Sequence, residues 1–343
     1  MTMKQQQTMI MIIILMMVVP TMWAALGQEE IGLVVAKDGS ANFTTISDAI
    51  KAAPNYSSKR INIKVMAGVY NEYIIIGKEK SNLTIIGEGI DKTVISGSRS
   101  NATGFRTHDS ATVEVQGYGF TAKYLTIENT AGPQGEQAVS LLSESDHSVY
   151  FRCKFTGYQD TVYAKKGVQF FRECEIYGTV DFIFGNAQVV FQRCNVYARK
   201  PVQGQFITIT AQGKETSSDT SGTVFQNCTF RATSELINSG FRVDAYLGRP
   251  WQAYSTTIIM QSFLESFIDP TGWLDWDGRS SSAGLFYAEY ANQGPGANTT
   301  SRVNWKGYKV LNSSEASNFT IRSFINGDQW LPSTGVPYDP NLI

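Results

Sequence analysis

Two aspartates are spaced as partners. Asp160 follows Cys153 by seven residues and Asp181 follows Cys174 by seven, in Gly157-Tyr158-Gln159-Asp160-Thr161-Val162-Tyr163 and Tyr177-Gly178-Thr179-Val180-Asp181-Phe182-Ile183-Phe184-Gly185. If the cysteines share a register, the two carboxyls occupy equivalent positions on neighbouring turns of chain. Carboxyls that close do not both ionise cheaply: one is pushed towards the neutral acid while the other keeps its charge. That division suits a general acid beside a nucleophile or base. Asp181 sits in the apolar run Val180-Asp181-Phe182-Ile183-Phe184, where an unpaired carboxylate is costly, and this favours a catalytic reading. A solvated aspartate ladder and a Ca²⁺ site are the other readings of the pair.

Competing chemistries find few residues. The two histidines, His108 and His147, lie in polar stretches and read as surface residues. The sequence holds no GxSxG, no HExxH and no phosphate-cradling glycine loop. It offers no CxxC and no nearby histidine pair, so no metal site is expected.

The segments around the cysteines are copies of one another: Val149-Tyr150-Phe151-Arg152-Cys153-Lys154-Phe155, Gln169-Phe170-Phe171-Arg172-Glu173-Cys174-Glu175-Ile176, Val190-Phe191-Gln192-Arg193-Cys194-Asn195-Val196 and Val224-Phe225-Gln226-Asn227-Cys228-Thr229-Phe230. Cys153, Cys174 and Cys194 are almost evenly spaced, and Cys228 follows after a longer interval. Similar short strands without cysteine occur at 82–87 and 124–129. β-Branched and aromatic runs at a period of roughly 20–25 residues, parted by Gly, Asn and Asp, predict a stacked solenoid, an all-β parallel β-helix. A β-sandwich explains strands but not the recurring cysteine register. The exception is Thr45–Ala53 before Pro54, which predicts a short N-terminal capping helix. Neighbouring rungs lie about 4.8 Å apart, within the Cα separation of about 4.4–6.8 Å that a disulfide tolerates. Cys174–Cys194 is the expected bridge, with Cys153 and Cys228 as buried thiols; four free core cysteines are the alternative.

The N-terminus reads differently. Lys4 is the single charge before an unbroken apolar run from Met9 to Val19, followed by Pro20 and the small residues Ala24, Ala25 and Gly27. This is the pattern of a secretory signal peptide, residues 1–27, leaving residues 28–343 as one domain; a membrane anchor is the alternative. Secretion gives meaning to eight Asn-x-Ser/Thr triplets, at Asn42, Asn55, Asn82, Asn101, Asn227, Asn298, Asn312 and Asn318. A net charge of −1, from 29 Lys+Arg against 30 Asp+Glu, argues against nucleic acid as a partner. Hydrophobic residues make up 42%, too many for a disordered chain. At 343 residues the chain exceeds one compact core, and the repeat resolves this as an elongated solenoid.

From about Leu33 to Tyr338 the chain resembles the plant-type pectin methylesterases (pectinesterases). The resemblance rests on Gly68-Val69-Tyr70-Asn71-Glu72, Gln137-Ala138-Val139-Ser140-Leu141, Gly157–Tyr163, Asp181–Gly185 and Leu247-Gly248-Arg249-Pro250-Trp251, in this order. It implies a right-handed parallel β-helix and hydrolysis of galacturonate methyl esters in pectin, without metal or cofactor. It makes Asp181 the nucleophile and Asp160 the general acid and then base. Gln137 and Gln159 become oxyanion donors, Arg249 the partner that keeps Asp181 ionised, and Trp251 a sugar-stacking face. Thr107 matches a substrate-contact position, and Tyr163 with Phe182 flanks the acids. It further implies a secreted, monomeric cell-wall enzyme, away from membranes and nucleic acid, with an inhibitor protein as partner.

Plainer readings remain: ladder amides for the glutamines, a surface turn for Arg249, and side-wall packing for Trp251, Trp273 and Trp276. His108 stands where the family usually has Phe, and Ser140 where Ala is common. The short stretch between signal and domain reads as the form without an inhibitor-like pro-region. A polygalacturonase-like glycosidase, a lyase on a similar solenoid and a non-catalytic pectin-binding wall protein are the rival functions.

Overall fold

The structure, a computed structural model, describes residues 31–343. The expected signal peptide, residues 1–27, lies outside the described residues. The described chain winds into a right-handed parallel β-helix in which each turn of the middle part lays one strand into each of three sheets. A representative turn runs through Ser148–Phe151, Lys154–Thr156 and Val162–Ala164, and the next through Val168–Arg172, Glu175–Gly178 and Ile183–Gly185. The sheets have 11, 8 and 7 strands, and successive turns pair in parallel.

The sequence repeat becomes a stacking repeat. Inside the coil, Tyr150, Phe171, Phe191 and Phe225 form a column with ring centroids 4.4, 4.5 and 4.7 Å apart, close to the spacing between paired strands. The turn from the 11-stranded into the 8-stranded sheet passes through one left-handed residue: Arg152, Glu173, Arg193, Asn227 or Gln261, with φ between 49° and 55°. For a residue with a Cβ this costs on the order of 1 kcal/mol, repaid by the column that the corner closes.

The cysteine after each corner points into the core, and this overturns the expected Cys174–Cys194 bridge. All four thiols are free and buried. Cys174 Sγ donates to Tyr150 O at 3.3 Å and Cys228 Sγ to Phe191 O at 3.3 Å, while Cys194 Sγ accepts from Cys174 N–H at 3.4 Å. Each thiol repeats its neighbour's orientation instead of turning towards it. In-register parallel strands hold their side chains about 4.8 Å apart, beyond the Cβ separation of about 3.5–4.5 Å that a disulfide needs. Ser262 continues the ladder, its Oγ accepting from Cys228 N–H at 3.0 Å.

The expected capping helix is present at Ile46–Ala52 and buries Ile46, Ala49 and Ile50. Thr45 caps it, and the Glu72 carboxylate accepts from Ile46 and Ser47 N–H, each at 2.9 Å. Leu311, Ile321, Ile325, Leu331 and Val336 of the C-terminal segment pack with Phe170, Val190, Val224 and Ile258 of the 11-stranded sheet. The tail is then strapped down by Gln192, which donates to Asp339 O at 2.8 Å, and by Gln226, which donates to Asn341 O at 2.8 Å. Of the eight glycosylation triplets, Asn42, Asn55, Asn101, Asn298, Asn312 and Asn318 are exposed, whereas Asn82 and Asn227 are half-buried.

In guanidinium chloride without reductant, a thiol reagent is expected to titrate four cysteines, and adding reductant is expected to leave the Tm unchanged. Two titrating thiols would restore the bridge.

Candidate active site

The outer face of the 7-stranded sheet gathers most of the residues singled out in the sequence. One outward column runs in register through Ile75, Glu114, Leu142, Tyr163, Phe184, Ala211 and Arg249. Above its middle lies a cavity of about 790 Å³. Leu142, Phe184 and Ala211 form an apolar floor with Ala111 and Val139. Tyr163 and Phe184 stack at 4.2 Å, and Trp251 stands edge-on to them at 6.5 and 6.1 Å. Such ring faces suit the apolar faces of sugars.

The strands Val162–Ala164 and Ile183–Gly185 pair Val162 with Ile183, so the aspartates two positions earlier are equivalent. Asp160 N–H donates to Val180 O at 3.0 Å, locking the two entry loops together. Both aspartates are left-handed, with φ of 64° and 50°, a strained backbone of the kind that gathers at functional sites. Gly178 makes the tight approach of the second loop feasible, because a Cβ there would overlap that of Phe182.

Burial gives the pair its chemistry; Asp160 is 7% exposed and Asp181 5%. Arg249 grips Asp181 with both arms of its fork, Nε to Oδ1 at 2.9 Å and Nη2 to Oδ2 at 2.7 Å. Thr208 donates its hydroxyl to Asp181 Oδ1 at 2.6 Å and accepts from Asp181 N–H at 3.0 Å. The guanidinium is itself held over the Trp276 ring at 3.8 Å, with Phe206 at 5.1 Å. Among the described residues Asp160 has no such partner. Burial and then the negative charge of Asp181 push its carboxyl well above the usual range, and the pull of Arg249 does not reverse this. A carboxyl pushed towards the neutral acid therefore stands beside one gripped by a guanidinium.

Gln137 and Gln159 are on the cavity wall, linked through Ala138 N–H to Gln159 O at 3.2 Å. Thr107 leads into a short 3₁₀ turn, His108–Ser110, with Ser110 Oγ donating to its carbonyl at 2.7 Å. Asp160, Asp181, Gln137, Gln159, Arg249, Thr107, Tyr163 and Trp251 thus line one cavity. Arg249 is on a strand, not in a surface turn. Trp276 lines the groove, while Trp273 is 1% exposed and packs on Tyr287 at 4.7 Å. Phe182 faces the core and Phe184 takes the groove position expected of it. His108, read as a surface residue, belongs to the cavity wall. Thr208 and Phe206 escape the sequence reading, since they sit in the long interval between Cys194 and Cys228, where the repeat gives no register mark.

Fold and site define a parallel β-helix protein with paired buried acids in an open groove. The Pectinesterase family model matches residues 32–328, and the chain belongs to the pectinesterase family. It is 48% identical over 314 residues to "Probable pectinesterase/pectinesterase inhibitor 7" of Arabidopsis thaliana, covering 91% of this chain and 54% of the relative. "Pectinesterase 2" of Citrus sinensis is 49% identical, covering 90% and 60%. The chain thus spans a little over half the length of these curated relatives. The solved structure of pectin methylesterase from carrot superposes with a TM-score of 0.90 at 44% identity, covering 92% of this chain and 99% of that one. That of the Aspergillus niger enzyme gives 0.75 at 31%, covering 89% and 97%.

Folding raises the proton affinity of Asp160, so between its ordinary and folded values the native state holds a proton that the unfolded chain has released. The stabilisation is full below the unfolded value and is lost as pH rises. Asp160→Asn, neutral at every pH, is therefore expected to melt above wild type at neutral pH. The gap should close as pH falls towards the ordinary carboxylate value of 3.8. Equal melting temperatures across that range would contradict this account.

Proposed function

We propose that the chain hydrolyses the methyl esters of galacturonate units in pectin, releasing methanol and leaving a free carboxylate. The observation that carries this reading is a buried Asp160, pushed towards the neutral acid, beside an Arg249-clamped Asp181 in an aromatic-walled groove of a pectinesterase-family chain.

An oxygen of Asp181 attacks the ester carbonyl carbon, and the carbonyl oxygen takes the negative charge. The amides of Gln137 and Gln159 donate to that oxygen, a task for neutral donors that keep their protons. Collapse breaks the bond to the methoxy group while Asp160 protonates it, and methanol leaves an acyl-Asp181 intermediate. Asp160, now a carboxylate, takes a proton from water as the water oxygen attacks the same carbonyl. The bond to Asp181 breaks, both acids return to their starting states, and the newly formed carboxylic acid releases its proton to solvent. Arg249 fixes Asp181 for attack, and Thr107, Tyr163 and Trp251 hold the sugar.

The same reading makes the protein a secreted, glycosylated, monomeric cell-wall enzyme with a pectin methylesterase inhibitor protein as partner. The leader-like N-terminus and six exposed glycosylation triplets support it. Among the described residues no helix is long and apolar enough to cross a membrane.

Incubation with methylated pectin is expected to release methanol without new reducing ends. Chain shortening would instead favour a glycosidase or lyase, and binding without turnover a wall-binding protein. Asp181→Ala should abolish release, and Asp160→Ala should lower it by about 10²–10⁴-fold. Gln137→Ala or Gln159→Ala should cost about 10²–10³-fold in kcat. Full activity in either aspartate variant would overturn the assigned roles.

A further inference from the structure

The rung after Asp181 places a hydroxyl at the equivalent position in the stack. Ile183 pairs with Thr210 on the strand Ile207–Gln212. Thr208 is therefore the counterpart of Asp181 on the next rung, as Asp160 is on the rung before. Thr208 is fully buried, and its backbone is held without help from its side chain. Its N–H donates to Thr179 O at 3.2 Å, and its carbonyl accepts from Phe182 N–H at 3.4 Å. The hydroxyl itself serves Asp181. Asp181 N–H can only donate, so Thr208 Oγ1 accepts there at 3.0 Å and directs its one hydrogen to Asp181 Oδ1 at 2.6 Å.

This bond makes the two oxygens of Asp181 different. Arg249 treats them alike, with Nε on Oδ1 at 2.9 Å and Nη2 on Oδ2 at 2.7 Å. An ionised carboxyl offers about two acceptor positions on each oxygen. On Oδ1, Arg249 and Thr208 fill both. On Oδ2, Arg249 fills one, and among the described residues no second donor reaches it. An electron pair engaged by a donor is a poorer nucleophile than an open one. The open pair lies on Oδ2, and Asp181 lines the cavity.

We propose that Thr208 is a positioning residue for the esterase reaction: by filling the second acceptor position of Oδ1, it makes Oδ2 of Asp181 the attacking oxygen. This rests on the pectin methylesterase reading above and adds to it which atom reacts and what selects it. Oδ2 gives an electron pair to the ester carbon, and the carbonyl pair moves onto the carbonyl oxygen. Once methanol has left with the Asp160 proton, Oδ2 bridges the two acyl groups. Oδ1 is then the aspartyl carbonyl oxygen and still accepts from Thr208. When water displaces the acyl group and gives its proton to Asp160, the bonding pair returns to Oδ2. The restored charge spreads over two oxygens that Arg249 and Thr208 already bind. Thr208 acts throughout by way of Asp181.

The test pairs kinetics with a structure. Thr208→Val keeps the branched shape without the hydroxyl, Thr208→Ala removes hydroxyl and methyl, and Thr208→Ser keeps the hydroxyl alone. On methylated pectin, with kcat expressed per folded molecule from near-ultraviolet circular dichroism, the Val and Ala variants are expected to lose about 10–100-fold in kcat. KM should stay unchanged, because the bond acts on the attacking atom and not on the bound sugar. Thr208→Ser is expected to recover most of the rate. In a crystal structure of Asp160→Asn with a methylated oligogalacturonide, the ester carbon is expected about 3–3.5 Å from Oδ2 and farther from Oδ1. Full kcat in Thr208→Val or Thr208→Ala, a Thr208→Ser rate as low as theirs, or an ester carbon nearer Oδ1 overturns the proposal while leaving the esterase reading intact. Absence of methanol with wild type removes the esterase reading itself, and this inference with it.

Discussion

The site depends on one ion pair made across two rungs of the coil. Asp181 opens the strand Ile183–Gly185, and Arg249 lies two strands along the same sheet, on Ala245–Pro250. Only a long, forked cation spans that distance and still meets both carboxylate oxygens. Without it, a carboxylate 5% exposed would be left beside a second acid in an apolar trough, and removing one partner of a buried pair costs on the order of 3–5 kcal/mol. The pair also sets the two acids apart. The two aspartates occupy equivalent positions, but Arg249 and Thr208 bind only one of them, while burial and the charge of that neighbour push the other towards the neutral acid.

The solenoid supplies the rigidity this arrangement demands. Left-handed corners, two strained aspartates and buried acids all oppose folding. Against them stand a continuous aromatic column, parallel hydrogen-bond ladders and covers on exposed surfaces. Ile46–Ala52 packs at the N-terminal end and the segment from Leu311 to Val336 on the outer face of the 11-stranded sheet. With that face occupied, the outer side of the 7-stranded sheet is where an extended ligand can lie along the axis.

Where the repeat is strict, the sequence speaks clearly. The nearly equal steps from Cys153 to Cys174 and from Cys174 to Cys194 set the rung length. The same offset carries through to Asp160 and Asp181, which the structure brings to equivalent positions. Between Cys194 and Cys228 the interval stretches and the register disappears, and Thr208 and Phe206 with it. Phe182 and Phe184 differ by one full period of alternation, so both belong near the acids in sequence, and the tight turn at left-handed Asp181 decides which one faces inward. The disulfide expectation fails for a different reason: a Cα distance says nothing of where the sulfurs point, and in a parallel stack they all point the same way. Arg249, Trp251, Gln137 and Thr107 are legible only through family resemblance, because residues drawn together from distant rungs leave no local pattern.

His108 shows the limit of reading polarity as exposure. Its neighbours Thr107, Asp109 and Ser110 are polar, as a surface turn requires, yet the turn folds back so that the imidazole meets carboxylates from two successive rungs. Solenoids make such meetings common, since any outward position is flanked by its counterparts about 4.8 Å above and below. A substitution on one loop therefore acts on a column of residues from separate turns. The apolar middle of that column floors the cavity beside Asp160 and Asp181. Its N-terminal end sets carboxylates from separate turns against one imidazole, a contact that no single stretch of sequence announces.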